Sequence, residues 1–242
     1  MSFPKLSLCI ATYKRWSFLK ENLQKYLENP YIDEIVVTDE TGEDVEQIKQ
    51  HFQNPKLKLF VNEKRLHAFS NKRNAALKAS NEWICLIDSD NFAPIEYFEA
   101  WVKYIEKNGL QQNYIYSASK TIPQEKHPGF DYREFINTNI TLYKAKEIYT
   151  NTRFGPSLLN TGNFILHKSL YTNYEPTQED IQITLRCPAL ECLYQNYLFF
   201  TKAMAIMVVV ENMEYHHIVH DESLYLTTFR NCDLNSVEKY FK

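Results

Sequence analysis

Two carboxylates separated by one residue, Asp88 and Asp90, follow directly on the apolar residues 84–87. Like charges that close repel, and each resists leaving water. Residues two apart on an extended segment face the same side, so both carboxylates can converge on one partner. Two chemistries use such a pair. In one, a hard divalent cation, Mg2+ or Mn2+, offsets the repulsion; Asp90 holds the metal against a nucleotide diphosphate while Asp88 faces the ribose or the metal's water. In the other, Asp88 is a nucleophile and Asp90 its acid/base partner. The pair alone does not choose between them.

The elements that must carry these residues alternate. Residues 6–11 form a short apolar run fit for a buried strand, and from Trp16 the apolar positions Phe18, Leu19, Leu23, Tyr26 and Leu27 have helical spacing. Residues 34–39 read as a second strand, Thr41-Gly42 as a turn, 45–52 as a short helix and 57–61 as a third strand. Ser70 is the expected N-cap of a helix over 71–79, favoured by Ala75, Ala76 and Ala79. Residues 83–87 form the strand that ends in the carboxylates. Pro94 opens the next helix, whose apolar face is Ile95, Phe98, Trp101, Val102 and Ile105. This order predicts an α/β fold with parallel strands and crossover helices. Ligands of such sheets gather beyond the carboxyl ends of the strands, which aligns Thr12, Tyr13, Asp39, Asp88 and Asp90 along one edge. The second half is less regular. No internal repeat or low-complexity linker divides the chain, so one domain over 1–242 is expected, with a nucleotide-binding half (1–110) and an acceptor-binding half (111–242).

Composition narrows the class. With 242 residues, 44% hydrophobic and 24% charged, the chain can build one sizeable soluble core. A formal charge of −3 argues against a nucleic-acid partner. Cysteines at 9, 85, 187, 192 and 232 form no Cys-x-x-Cys pair, so a reducing, cytoplasmic setting without disulfides is expected. No leader sequence stands out near the start. The most apolar span, 197–210, is interrupted by Lys202 and is too short for a transmembrane segment, so it reads as a helix followed by a strand. Peripheral contact with a membrane stays open.

Context weighs on the carboxylate pair. A phosphatase of the haloacid dehalogenase type, with Asp88 as nucleophile, normally opens its domain with this motif, whereas here about eighty residues of βα structure precede it. Neither G-x-G-x-x-G nor a P-loop is present. With five glycines in the chain, phosphate must be held mainly by metal and side chains. The metal-diphosphate reading is favoured. His216 and His220 have the spacing of a zinc-helix pair, but the Glu that a zinc hydrolase needs after the first His is missing.

The ordered set "LSLCIATYKR", "EIVVTDET", "NKRNAAL" and "ICLIDSDNF" resembles the successive motifs of family 2 glycosyltransferases of the GT-A fold, over roughly residues 5–105. The resemblance implies a Rossmann-like, mostly parallel sheet flanked by helices, and an inverting transfer of a sugar from a nucleotide donor, in the first instance UDP-linked, to a hydroxyl of a glycan or other acceptor. It implies that Thr12, Tyr13 and Asp39 line the base and ribose. Lys72, Arg73 and Asn74 would approach the nucleotide, with Arg15 and Ser89 beside them. Asp88 and Asp90 would form the D-x-D metal site for Mn2+ or Mg2+. The segment from Thr161 to Lys168 resembles the family's acceptor-side loop, with Gly162 and Asn163 at the donor sugar. "HIVHDES" resembles the family's carboxyl-end element, in which His220 completes the metal's shell and Ser223 touches phosphate or acceptor, while His217 and Asp221 lie behind these or are simply exposed. An inverting transfer needs a carboxylate to take the acceptor's proton; "ALECLYQNYLFF" favours Glu191, with Asp180 in reserve. A haloacid dehalogenase-like phosphatase and an inactive nucleotide- or glycan-binding module remain as alternatives.

Overall fold

The computed structural model of the chain describes residues 3–124, 128–221 and 223–242. The first half runs β1 (Leu6–Thr12), α1 (Trp16–Glu28), β2 (Glu34–Asp39), α2 (Glu43–His51), β3 (Leu57–Val61), α3 (His67–Lys78), β4 (Trp83–Leu86) and α4 (Ile95–Asn108). The second runs β5 (Tyr114–Ile122), α5 (Leu142–Asn151), α6 (Gly155–Leu159), β6 (Phe164–His167), α7 (Ser169–Thr172), α8 (Gln178–Arg186), α9 (Glu191–Lys202) and β7 (Ile206–His216). Two short helices, α10 (Leu224–Thr228) and α11 (Asn235–Glu238), follow. The strands form one seven-stranded sheet in the order β3-β2-β1-β4-β6-β5-β7, to which both halves contribute. β1 pairs in parallel with β2 and β4, β2 with β3, and β5 with β7; β6 is antiparallel to both its neighbours.

Residue alternation explains the layering. Leu6, Leu8 and Ile10 of β1 face the layer beneath α1 and α4, with Leu23, Phe98 and Trp101. Cys9 faces the opposite layer, with Ala75 and Ala76 of α3, Ile183 of α8, and Leu193 and Phe199 of α9. Both faces of the central strands are covered, which is why these strands read as continuous apolar runs. The strand order reverses around β1, and the register sets Thr12 beside Asp39 at the carboxyl ends of β1 and β2. The crevice expected at such a reversal opens there.

Local departures from the sequence reading have identifiable causes. α3 begins at His67 and takes Ser70 into its body instead of using it as a cap. Its first amides are met from elsewhere: the Glu40 carboxylate accepts from Leu66 N (3.1 Å) and His67 N (3.2 Å). β4 stops at Leu86, and residues 88–91 close a turn through Asn91 N to Asp88 O (2.9 Å), so the two carboxylates are not on an extended segment. The 197–210 span divides into the end of α9 and the start of β7, as the interrupted pattern suggests. No helix among the described residues is long and apolar enough to cross a membrane. The five cysteines are all free thiols.

Candidate active site

The turn after β4 points its two carboxylates at different partners. Asp88 is gripped from the second half of the chain: its backbone N–H donates to Asn163 Oδ1 (2.8 Å), and Asn163 Nδ2 donates to Asp88 Oδ2 (3.0 Å). This two-way exchange fixes the carboxyl end of β4 against the start of β6, beside which β4 already runs antiparallel. Asn91 closes the loop from below. Its side chain donates to Asp88 Oδ2 (3.4 Å) and accepts from Ile218 N (2.9 Å). Phe92 and His216 exchange backbone hydrogen bonds of 3.0 and 2.8 Å, which draws the end of β7 onto the carboxylate loop. Ser89, half-buried, lies between the acids.

That junction carries His220 to Asp90. His220 Nε2 and Asp90 Oδ2 are 3.0 Å apart, with side chains 17% and 20% exposed. The His220 ring also packs against Phe18 of α1 at a centroid distance of 4.8 Å. Ser223 stands behind it, its Oγ accepting from His220 N (3.3 Å). The pair therefore sits partly open at the mouth of the crevice; the Asp88 side chain, 27% exposed, turns one oxygen to Lys72.

The inward side is organised by Lys72 of α3. Its ammonium lies 2.7 Å from Asp88 Oδ1, 2.7 Å from Glu191 Oε1 and 3.1 Å from Cys192 Sγ. An ammonium has three N–H donors, and these three acceptors use them all. The Cys192 thiol in turn donates to Glu191 Oε1 (3.0 Å). Burial opposes the charge on Lys72, but Asp88, Cys192 and Glu191 outweigh it and hold its pKa well above the usual lysine value. Burial would raise Asp88; Lys72 and Asn163 more than offset that and hold it below the ordinary carboxylate range. Burial, with Glu191 beside it, pushes the Cys192 thiol well up, so it is a neutral donor and not a thiolate. Gly162 makes the arrangement possible. A Cβ there would come within 2.8 Å of Cys192 Sγ and 2.9 Å of Lys72 Nζ, closer than atoms pack. Lys72, Gly162, Glu191 and Cys192 line a cavity of about 10 Å³, room for one water.

The residues that the sequence assigns to base and ribose are mostly committed to one another. Thr12 Oγ1 donates to Asp44 Oδ2 (2.5 Å), and the Arg15 N–H reaches both Asp44 oxygens at 3.0 Å, tying the β1 exit to α2. Asp39, wholly buried, accepts from Thr41 N and Val45 N, each at 3.0 Å, and so shapes the β2–α2 turn. Tyr13 is the open member: 38% exposed, with the Arg65 guanidinium 4.6 Å from its ring centroid. A base can stack on such a ring. Arg73, the next residue of α3 and so about 100° around the helix from the crevice-facing Lys72, points elsewhere and donates to Tyr171 O (2.5 Å), Tyr174 O (3.0 Å) and Glu175 Oε2 (2.6 Å). Asn74 donates to Asn62 Oδ1 (2.8 Å), Asn62 to Asn71 Oδ1 (2.9 Å), and Asn71 to Thr12 O and Thr38 O. This amide ladder ties α3 to the ends of β1 and β2.

The two candidate bases differ sharply in position. Glu191 opens α9, is 5% exposed and joins the Lys72 cluster. Its Oε2 makes no hydrogen bond among the described residues. Asp180 closes a capping box with Thr177 at the start of α8 and accepts from Tyr194 OH (2.6 Å). Asp44, Asn91 and Cys192 enter the site architecture without having been singled out in the sequence. Apart from Asp88 beside Asn91 and Glu191 beside Cys192, the partners described here lie 29 to 127 residues away, so local spacing does not mark them.

The chain matches the family described as glycosyl transferase family 2 over residues 7–169. Three solved structures resemble it in fold. S. aureus TarS 1–349 in complex with UDP is 17% identical with a TM-score of 0.60, over 97% of this chain and 68% of that one. The same protein with UDP-GlcNAc is 17% identical with a TM-score of 0.61, over 91% and 60%. GalNAc-T7 with UDP, GalNAc and Mn2+ is 15% identical with a TM-score of 0.60, over 98% and 50%. The chain thus spans between half and about two thirds of these proteins. No curated protein sequence matches it.

Proposed function

The chain belongs to glycosyl transferase family 2, and on that premise we propose that it moves a sugar, with inversion, from a UDP-linked donor to a hydroxyl of a glycan or other acceptor. The observation that carries the reading is the partly open Asp90–His220 pair at the carboxyl edge of the sheet, with the Lys72 cluster directly behind it. The similar folds carry UDP or a UDP-sugar, which supports the donor class.

The pair fits a divalent cation of the Mg2+ or Mn2+ kind. One carboxylate and one imidazole 3.0 Å apart offer two ligands, and no group of three His, Cys, Asp or Glu that could hold a metal exists among the described residues. Such cations commonly take one or two protein ligands and complete their shell with substrate phosphates. Asp88 contributes indirectly, since Lys72 and Asn163 occupy its oxygens. When bound, the cation supplies charge stabilisation for the departing diphosphate. Tyr13 offers its ring to the base, and Gly162 leaves the room in which Lys72 and Cys192 sit. Glu191 takes the acceptor's proton on Oε2 as the hydroxyl attacks the sugar carbon. The phosphatase alternative is set aside, because family membership opposes it and a nucleophilic Asp88 would need an oxygen free for attack.

Thermal-shift titration with UDP and a panel of UDP-sugars, with and without Mn2+, tests the reading. A ligand held only by the folded state raises stability by about 2.7 kcal/mol at a hundred times its Kd. UDP should raise the unfolding midpoint only with Mn2+, and Asp90→Asn should lose that shift while its unliganded midpoint stays close to wild type. Absence of any UDP response in the wild type would reject the donor assignment. Glu191→Gln should keep the shift and lose turnover; if Asp180→Asn alone does so, the base is Asp180.

A further inference from the structure

The Lys72 ammonium joins the turn after β4 to the start of α9. Asp88 belongs to the donor-side turn and Glu191 to the acceptor-side helix, 119 residues from Lys72 in sequence. A lysine beside a nucleotide site is ordinarily read as a phosphate ligand, and its sequence position suggests that role here. The geometry gives it another. All three N–H groups are used by Asp88 Oδ1, Glu191 Oε1 and Cys192 Sγ, and the ammonium is confined by the absence of a side chain at Gly162.

We propose that Lys72 is a positioning residue for the transfer: it clamps Glu191 through Oε1, leaving Oε2 to meet the acceptor hydroxyl, and it fixes that oxygen relative to Asp88 and the donor-side turn. The proposal rests on the glycosyltransferase reading and on Glu191 as its base. One oxygen of the base is held by a fixed cation and a neutral thiol, so the carboxylate cannot rotate freely about its last bond. Proton transfer needs the base within hydrogen-bond reach of the hydroxyl at the moment of attack. A misplacement of about 1 Å in such a constellation can cost about a hundredfold in rate. Gly162 belongs to the same device, since any Cβ there would push the ammonium or the thiol out of place. The clamp separates two roles for a cation in this crevice. A cation at Asp90 and His220 would serve the leaving group, and the ammonium at Glu191 serves the attacking one.

The test uses the full chain, UDP with Mn2+ for binding, and for turnover the UDP-sugar that most raises the wild-type midpoint, its hydrolysis read as UDP release. Lys72→Met should bind UDP–Mn2+ within about threefold of wild type and lose about a hundredfold in turnover number. Gly162→Ala should show the same split while keeping the lysine, and it also serves if Lys72→Met fails to fold. Parallel loss of UDP affinity and turnover in Lys72→Met would make the lysine a phosphate ligand and overturn the proposal. Unchanged turnover in either variant would overturn it as well. A wild type that binds UDP and no sugar nucleotide, or neither, would fail the functional reading first. The clamp itself is then judged by unfolding midpoints of Lys72→Met, Glu191→Gln and the double variant. Coupled residues give a non-additive double variant; additive midpoints would remove the clamp.

Discussion

Arg73 decides whether the basic pair in α3 serves the nucleotide or the fold. Its guanidinium is 7% exposed and donates to two backbone carbonyls, Tyr171 O and Tyr174 O, as well as to Glu175. Replacing it with Met keeps the stem and removes the head. A hydrogen bond involving a charged group contributes about 1.5–3 kcal/mol, and the carbonyls left behind gain no new partner. The Glu175 side chain is 84% exposed, so that ion pair adds about 1 kcal/mol or less. The tether to the segment after α7 is thus worth about 3–7 kcal/mol. For a chain of this size each kcal/mol moves the midpoint by about 2–4 °C, so Arg73→Met should melt about 6–28 °C below wild type. Scanning calorimetry reads the midpoint, and a UDP–Mn2+ titration well below it reads affinity, which should stay within about twofold of wild type. Arg73→Lys should recover little, because one ammonium cannot span three acceptors laid out for a planar fork. A variant that melts normally but binds UDP tenfold more weakly would refute the tether and return Arg73 to the phosphate.

Two further outcomes follow from buried polar groups. Burial would raise the Glu34 carboxyl, but the Ser7 hydroxyl (2.5 Å), the Ser80 hydroxyl (2.7 Å) and the Ser80 N–H (2.8 Å) hold it below the usual range. Its contribution is therefore fully present above the unfolded-state pKa of about 4.3 and is lost as pH falls through the lower folded value. The midpoint gap between wild type and Glu34→Gln should be flat above about pH 5 and narrow at lower pH; a gap that ignores pH would exclude Glu34 from acid unfolding. Asn71→Ala breaks the amide ladder at its inner rung and should cost about 1–3 kcal/mol, measured by urea unfolding. A loss no larger than that of an exposed substitution would show that α3 is held to the sheet by apolar packing alone.

The alternation of strands and helices through residue 108 is legible because each buried strand is a short apolar run and each helix repeats its apolar face every three to four residues. Tyr197 to Val210 reads correctly for the same reason: one residue, Lys202, closes α9 before β7 begins. What the sequence hides is polar and distant. The cap of α3 comes from Glu40 and not from the adjacent Ser70, and the α1 amide at Arg15 is met by Asp44. Asp39 looks like a ligand for ribose hydroxyls, yet both its oxygens are used by the turn that follows it. A serine, an aspartate or an asparagine advertises hydrogen-bonding capacity without naming its partner. Local spacing finds that partner only when it lies within a turn or two. The Lys72–Glu191 contact has no local trace of any kind.

On the proposed function, the charges in the crevice also give a cation and a lysine separate tasks. Asp88, Asp90 and Glu191 bring three carboxylates into one region, and Lys72 neutralises only part of that charge. A diphosphate arriving there meets net repulsion. Lys72 cannot turn to receive it without releasing Glu191 and Asp88, each of which would then be buried against an uncompensated neighbour, a change that costs several kcal/mol. On this reading a diphosphate enters only together with a further positive charge at the mouth, where Asp90 and His220 stand. The order of events follows from this electrostatics: cation and nucleotide enter as a unit, or the cation first. UDP without a divalent cation should compete poorly even at high concentration. Raising the salt should relieve the repulsion and improve the weak binding of UDP alone, while changing that of the UDP–Mn2+ pair far less, since screening acts chiefly on the uncompensated charge. Equal salt sensitivity of the two would mean that the diphosphate avoids these carboxylates altogether.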